Sequence, residues 1–197
     1  MGPKATLPAP AADLVVRKLP LVAVRGSLYR IHRTRHSWRR FGRNVSERFD
    51  DPQGQYGVLY AASQPEAAFA EVFLRQLSLM VIAEVDLRAR SLTSFAAISL
   101  RCVDLTGAGL RKLSCDNRIS TEKPYTTTGL WSRAFYTHPQ QPDGIIYRSR
   151  HNPRFRCVAL FDRCDNKLSA GGTDGLMGTT WRAWTADQLK SYTLALV

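Results

Sequence analysis

RFDDPQGQYGVLYAASQPEAAFAE, residues 48–71, reads as turn, strand, turn and helix. Asp51-Pro52 and Gln53-Gly54 supply turn chemistry, because proline presets one backbone angle and glycine reaches conformations closed to other residues. Gly57 to Ala62 is short, apolar and bounded by polar residues, which predicts a buried strand. Ser63 stands three residues before Glu66, the spacing of a reciprocal helix cap. Pro65 falls in the first helical turn, where an amide proton has no partner to lose. From Ala67 to Leu74 the predicted helix is almost wholly apolar, and Glu71 is its one acid. A carboxylate in such a segment is costly to bury unpaired, so it is either paired with a cation or held for chemistry.

Upstream, Ser27 to Ile31 reads as the first strand, with Leu28 and Arg30 on one face and Tyr29 and Ile31 on the other. Residues 1–26 read as an arm. Its Pro- and Ala-rich start points to disorder as far as about Asp13, and Leu14 to Val24 reads as a docking segment. His32 to Glu47 is basic and aromatic without clean periodicity, which predicts a long loop of functional use. Downstream, Leu79–Val85, Ser99–Leu105, Ile145–Tyr147 and Cys157–Phe161 read as strands. Gly107–Leu113 and Pro124–Tyr136 read as helices, and Ala170 to Gly175 as a loop. A last short helix is placed by a second cap spacing, Thr185 with Gln188. Strands and helices alternate irregularly, so residues 27–197 are expected to form one α+β domain, a mixed β core flanked by helices.

The 197 residues carry a formal charge of +12, and from Arg17 to Arg48 ten basic side chains face one acid, Glu47. Such a block favours a phosphate-bearing partner. The four cysteines show neither paired spacing nor nearby histidines, as expected of reduced thiols. The N-terminus lacks a basic region followed by an unbroken apolar one, and no apolar run is long enough for a membrane-spanning helix, so a cytoplasmic protein is expected. Glycine-rich dinucleotide or nucleoside triphosphate loops, zinc spacings and the strained serine elbow of α/β-hydrolases are all absent from the sequence. No metal is called for.

What remains is a set of isolated polar residues beside apolar strands: Arg30, Arg48, Tyr60, Glu71 and Ser149. Together with their neighbours they resemble the RES-domain family, the toxins of bacterial RES–Xre toxin–antitoxin pairs. The matching stretches are Leu28-Tyr29-Arg30-Ile31, Arg48-Phe49, Gly57 to Ala62, Pro65 to Glu71, and Asp143 to Ser149. The family takes its name from an arginine, a glutamate and a serine. Here the glutamate maps to Glu71, the serine to Ser149, and the arginine to Arg30 with Arg48 as a second. The resemblance implies a fold like that of ADP-ribosyltransferases and an activity that destroys NAD⁺.

On that resemblance Glu71, Arg30 and Ser149 are expected to be catalytic, and Arg48, Tyr60 and Tyr29 to bind substrate. Nicotinamide already carries positive charge, so its departure needs no acid, and one carboxylate could steady the oxocarbenium ion. Two arginines suit a pyrophosphate through forked hydrogen bonds. Ser149 is expected to position the nicotinamide ribose or its amide, and Tyr60 to offer a ring face and a hydroxyl for a ribose. His151 is expected to point away from Ser149. Water, inorganic phosphate or a protein side chain as acceptor would give an NAD⁺ glycohydrolase, a phosphorylase or an ADP-ribosyltransferase. NAD⁺ is thus a substrate, and no cofactor is expected. The expected partner is an Xre-type helix-turn-helix antitoxin, and a homodimer is compatible with the sequence. The non-enzymatic alternative is a nucleic-acid-binding module, in which Arg33 to Arg43 interleave with Trp38 and Phe41; it is the weaker reading, because a basic cluster is unspecific.

Overall fold

The strand and helix read within residues 48–71 both appear in the computed structural model, which describes residues 6–76, 78 and 80–197. The order is β1 Leu21–Arg33, β2 Val58–Ala62, α1 Pro65–Phe73, β3 Val81–Ile82, α2 Glu84–Arg88, β4 Arg90–Leu105, α3 Ala108–Lys112, α4 Arg118–Thr121 and α5 Thr126–Tyr136. There follow β5 Gly144–Arg148, β6 Arg156–Phe161, β7 Leu168–Gly175, α6 Arg182–Ser191 and β8 Ala195–Leu196. The class is α+β, as expected.

The main sheet runs β1-β2-β6-β5-β4-β7, and β1 also pairs with β4, so five of its strands are joined in a ring. Only β4 and β5 run parallel within it. Side chains alternate between two cores, as a pleated strand requires. One core holds Leu28, Leu59, Ala61, Phe95, Ile146, Val158 and Leu160. The other holds Ile31, Val58, Ala62, Ile145, Tyr147, Ala159 and Phe161, and receives the helices. Along β4 the alternation breaks. Val24 faces Leu100 and Gly26 faces Ala97, so two residues of β4 oppose Arg25 alone. Ser99 (φ 51°) and Gly26 (φ 87°) absorb this bulge.

α1 lies between the sheet and α6. Ala67, Ala68, Phe69 and Ala70 are buried, and Phe69 meets Trp184 edge-on and stacks with Tyr192. This explains the helix's apolar character all round.

Several local expectations are corrected. Gln64, not Ser63, precedes the first turn of α1, and no side chain caps it. The Ser63 hydroxyl donates to the Arg156 carbonyl, and Glu66 accepts from the Trp184 indole, so both would-be cap groups serve tertiary contacts. Thr185 lies inside α6 and donates to the Leu176 carbonyl. The strand expected over Leu79–Val85 is two residues long and gives way to α2; Leu79 lies outside the described residues. The glycine-rich stretch read as a loop is β7, and the helix expected from Pro124 starts at Thr126. The first strand begins at Leu21 rather than Ser27. From residue 6 onward the arm is packed, with Leu7, Leu14 and Leu19 buried; residues 1–5 lie outside the described residues. The cysteines are free thiols. Among the described residues no helix is long and apolar enough to cross a membrane.

Gly144 shows how tightly β5 sits. A Cβ there would lie 2.4 Å from the Ala159 carbonyl oxygen and 2.9 Å from the Leu160 Cα, both backbone atoms of β6. Gly144→Ala is therefore expected to destabilise the fold by about 3 kcal/mol, the upper part of the usual range for overpacking. In a domain of this size that lowers the melting temperature by roughly 6–12 °C. Thermal unfolding followed by circular dichroism checks it, and an unchanged midpoint would show that β6 yields easily.

Candidate active site

Glu71 stands in the last turn of α1, half-buried, where the helix meets the end of β5. The Ser149 hydroxyl donates to its Oε1 at 2.6 Å, and the Arg150 backbone N–H donates to the same oxygen at 2.9 Å. The Asn152 N–H donates to Ser149 Oγ at 3.1 Å. An amide can only donate, so it fills an acceptor position on Oγ and leaves the hydroxyl proton for Glu71. Ser149 thus orients the carboxylate through its hydroxyl, rather than offering that proton to a ribose. Among the described residues Glu71 forms no ion pair, and Oε2 accepts no hydrogen bond.

Arg48 is 6% exposed, yet among the described residues it has no carboxylate partner. Its Nη1 donates to the Glu122 carbonyl at 2.9 Å, and its guanidinium lies 4.7 Å from the centre of the Tyr125 ring. Burial lowers its pKa, and Arg150 adds to the effect against the opposing pull of Tyr125, Tyr147 and Glu71. Tyr60 holds the segment that carries Arg48: its hydroxyl donates to Asp50 Oδ1 at 2.9 Å and accepts from the Phe49 N–H at 2.8 Å. Asp50 Oδ2 accepts from the Ser46 and Glu47 amides. The Tyr60 hydroxyl is therefore already engaged, and burial raises its pKa well above the usual phenol value.

Arg30 and Tyr29 come from neighbouring positions of β1. Arg30 Nη1 donates to the Arg40 carbonyl at 2.9 Å, and burial, with Arg40 beside it, lowers its pKa to about 10, so it is a cation at neutral pH. The 34–47 segment that supplies Arg40 is a wall rather than a free loop. Arg39 and Arg43 pair with Asp165 and Asp162, and Trp38 stacks on Phe95 at 4.8 Å. Trp38 and Phe41 both pack on the sheet core, which takes them out of the surface stacking role that the nucleic-acid alternative gives them.

Tyr29, Arg30, Arg48, Tyr60 and Glu71 line one cavity of about 630 Å³, a size suited to a cofactor-sized ligand. Ser149 stands behind Glu71. Eight lysines and arginines line the cavity against three carboxylates. Of those three, Glu47 pairs with Arg75, and Asp50 is held by Tyr60 and two amides. The wall therefore presents surplus positive charge around one carboxylate oxygen. Arg150 Nη1 is buried on this wall and, among the described residues, has no hydrogen-bond partner. His151 also lines the cavity; residues two apart in a strand share a face, so alternation gives no ground for turning it away from Ser149, and β5 in any case ends at Arg148. Its pKa is lowered, chiefly by burial, which Glu71 opposes.

The match to a family model now has a site to refer to. Residues 27–184 match the RES domain. The chain belongs to the RES family. A similar protein is probable toxin y4kH of Sinorhizobium fredii, 40% identical over 67 residues. That alignment takes in 34% of this chain, which spans about half the length of that relative (50%). Among solved structures, the fold resembles the M. tuberculosis MbcT–MbcA toxin–antitoxin complex with a TM-score of 0.71. The identity is 15%, and the match covers 90% of this chain and 100% of the other.

Three residues of this RES site were missed in the sequence. Arg150 acts on Glu71 through its backbone, which no side-chain motif encodes. Tyr125 and Glu122 reach Arg48 from 74 or more positions away. Ser149 tests the orienting role. Ser149→Ala removes one of two donors to Oε1 and is expected to slow about tenfold any reaction that depends on this carboxylate, the lower end for a hydrogen bond to a charged group. Ser149→Thr, which keeps a hydroxyl, is expected to retain more of the rate. Equal losses in steady-state assays would deny the hydroxyl this role.

Proposed function

We propose that this protein is a RES-type toxin that cleaves the bond between nicotinamide and ribose in NAD⁺. The observation that carries the reading is the carboxylate of Glu71, fixed by two donors on one oxygen, with its other oxygen unengaged in a cavity of surplus arginine charge. Nicotinamide leaves as a neutral molecule from a cationic ring, so the electrons of the broken bond need no proton donor. Positive charge then develops on the ribose, and Glu71 stabilises it by an electrostatic attraction that a buried, preorganised site strengthens. Arg48 and Arg30 bind the pyrophosphate, and their charge is unspent on protein carboxylates. Tyr29 and the face of Tyr60 border the space for a ring or ribose. With Tyr60 and Ser149 committed to protein partners, they serve the site by placing Arg48 and Glu71.

Water is the acceptor in this reading, giving ADP-ribose. One observation favours a second acceptor: the surplus of lysines and arginines on the cavity wall suits inorganic phosphate. The test is to incubate the purified protein with NAD⁺, with and without phosphate, and identify products by mass. Nicotinamide with ADP-ribose supports hydrolysis; a phosphorylated ADP-ribose that requires added phosphate supports phosphorolysis. NAD⁺ that stays intact in both overturns the reading.

As a cytoplasmic toxin the protein would deplete NAD⁺ from within, and a helix-turn-helix antitoxin of the Xre type would be its partner. The solved complex with the similar fold pairs a toxin with an antitoxin, which supports such a partner. Expressed alone, the protein should arrest growth, and co-expression of the antitoxin should restore it.

A further inference from the structure

We propose that the N-terminal segment, residues 6–20, belongs to the substrate-binding apparatus, with Glu122 as the positioning residue that links it to Arg48. The inference rests on the dinucleotide reading above and concerns a segment that precedes the residues matched by the family, 27–184.

The link has two halves on one residue. On the outside, the Leu7 backbone N–H donates to Glu122 Oε2 at 2.8 Å. On the inside, the Glu122 carbonyl accepts from Arg48 Nη1 at 2.9 Å. Three residues on, the Tyr125 ring supplies the other contact that orients this guanidinium. Among the described residues Arg48 has no carboxylate to fix its direction, so its aim into the cavity depends on these two groups. Both belong to the connection between α4 and α5, whose middle residues, Lys123 and Pro124, are exposed. A short exposed connection is soft unless something anchors it.

The segment is itself firmly seated, which makes it an effective anchor. The Trp131 indole N–H donates to the Pro8 carbonyl at 2.8 Å, and the Leu19 N–H donates to Gln140 Oε1 at 2.7 Å. Leu7, Leu14 and Leu19 are each 3% exposed. Positioning thus passes from α5 through the Pro8 and Leu7 backbone to Glu122, and from there to Arg48.

Glu122→Ala removes the outer hydrogen bond and keeps the inner carbonyl, whereas Glu122→Gln keeps an acceptor for Leu7. The measurements are the affinity for ADP-ribose by calorimetry, steady-state kinetics on NAD⁺, and amide hydrogen exchange. For Glu122→Ala the expected result is a roughly tenfold weaker affinity and raised KM, with kcat within about twofold and faster exchange at Leu7, Lys123 and Tyr125. Glu122→Gln is expected to stay near wild type in all of these. A merely structural role would lower stability or kcat without that split. Faster exchange with unchanged affinity would overturn the proposal, as would equal behaviour of the two variants. If the wild-type protein takes neither ADP-ribose nor NAD⁺, the dinucleotide reading fails by itself. The link is then decided by exchange alone: quickening at Lys123 and Tyr125 in Glu122→Ala but not in Glu122→Gln sustains it, and unchanged exchange overturns it.

Discussion

Glu71→Gln is expected to cleave NAD⁺ about 10²–10³-fold more slowly than the wild-type protein, the usual loss when one electrostatic stabiliser of a transition state is removed. The substitution is nearly isosteric. The glutamine carbonyl can still accept from the Ser149 hydroxyl and the Arg150 amide, the two donors that hold Oε1. Only the negative charge on the unengaged oxygen is lost, so a fall in rate reports on charge rather than on a broken site. KM for NAD⁺ should move little, because attraction to the ribose grows only as the bond to nicotinamide breaks. The melting temperature should stay within a few degrees. Single-turnover measurement of nicotinamide release checks the rate, and a variant that keeps more than about a tenth of it would remove Glu71 from the chemistry.

Arg48→Met is expected to raise KM for NAD⁺ about 10–100-fold while leaving the protein at least as stable as before. The affinity loss follows from removing a charge-assisted donor to pyrophosphate, where such bonds contribute about 1.5–3 kcal/mol. The stability result has a separate cause. A guanidinium 6% exposed, with one carbonyl and one ring for company, is held in the folded state against its desolvation cost. Methionine fills similar volume without a charge to desolvate, although the Glu122 carbonyl loses its donor. Opposite signs for binding and stability would mark Arg48 as a residue kept for function. A large drop in melting temperature would instead make it a structural residue. Arg48→Lys is expected to recover part of the affinity, since a lysine keeps the charge but not the fork or the stacking surface.

Much of the site was legible because it is local. Pro65 to Glu71 forms a helix by its own propensities, and an acid among alanines and phenylalanine draws notice for solvation reasons alone. Ser149 and Arg30 were found through family likeness more than through any pattern of their own. What sequence could not show was the direction of each hydroxyl. Tyr60 and Ser149 carry groups able to meet a substrate, and both are instead committed to protein partners from other elements. In the fold, β4 was read as half its length because the bulge at Ser99 shifts its alternation of inward side chains partway along. β7 was missed because its glycines signal a turn; Gly171 is there since a Cβ would come within 2.5 Å of the Ser94 carbonyl oxygen. The paired cap spacings failed for a common reason: their hydroxyls and acid found partners in other elements.

The ring of pairings bears on how the protein meets copies of itself. Five strands of the main sheet have neighbours on both sides, although β1 and β2 meet only at Tyr29 and Ala62, and among the described residues β7 is the strand of that sheet with one whole side unpaired. Along that margin Gly171 and Gly172 give an incoming strand little to grip. Templated aggregation along the β7 margin is thereby discouraged at high expression.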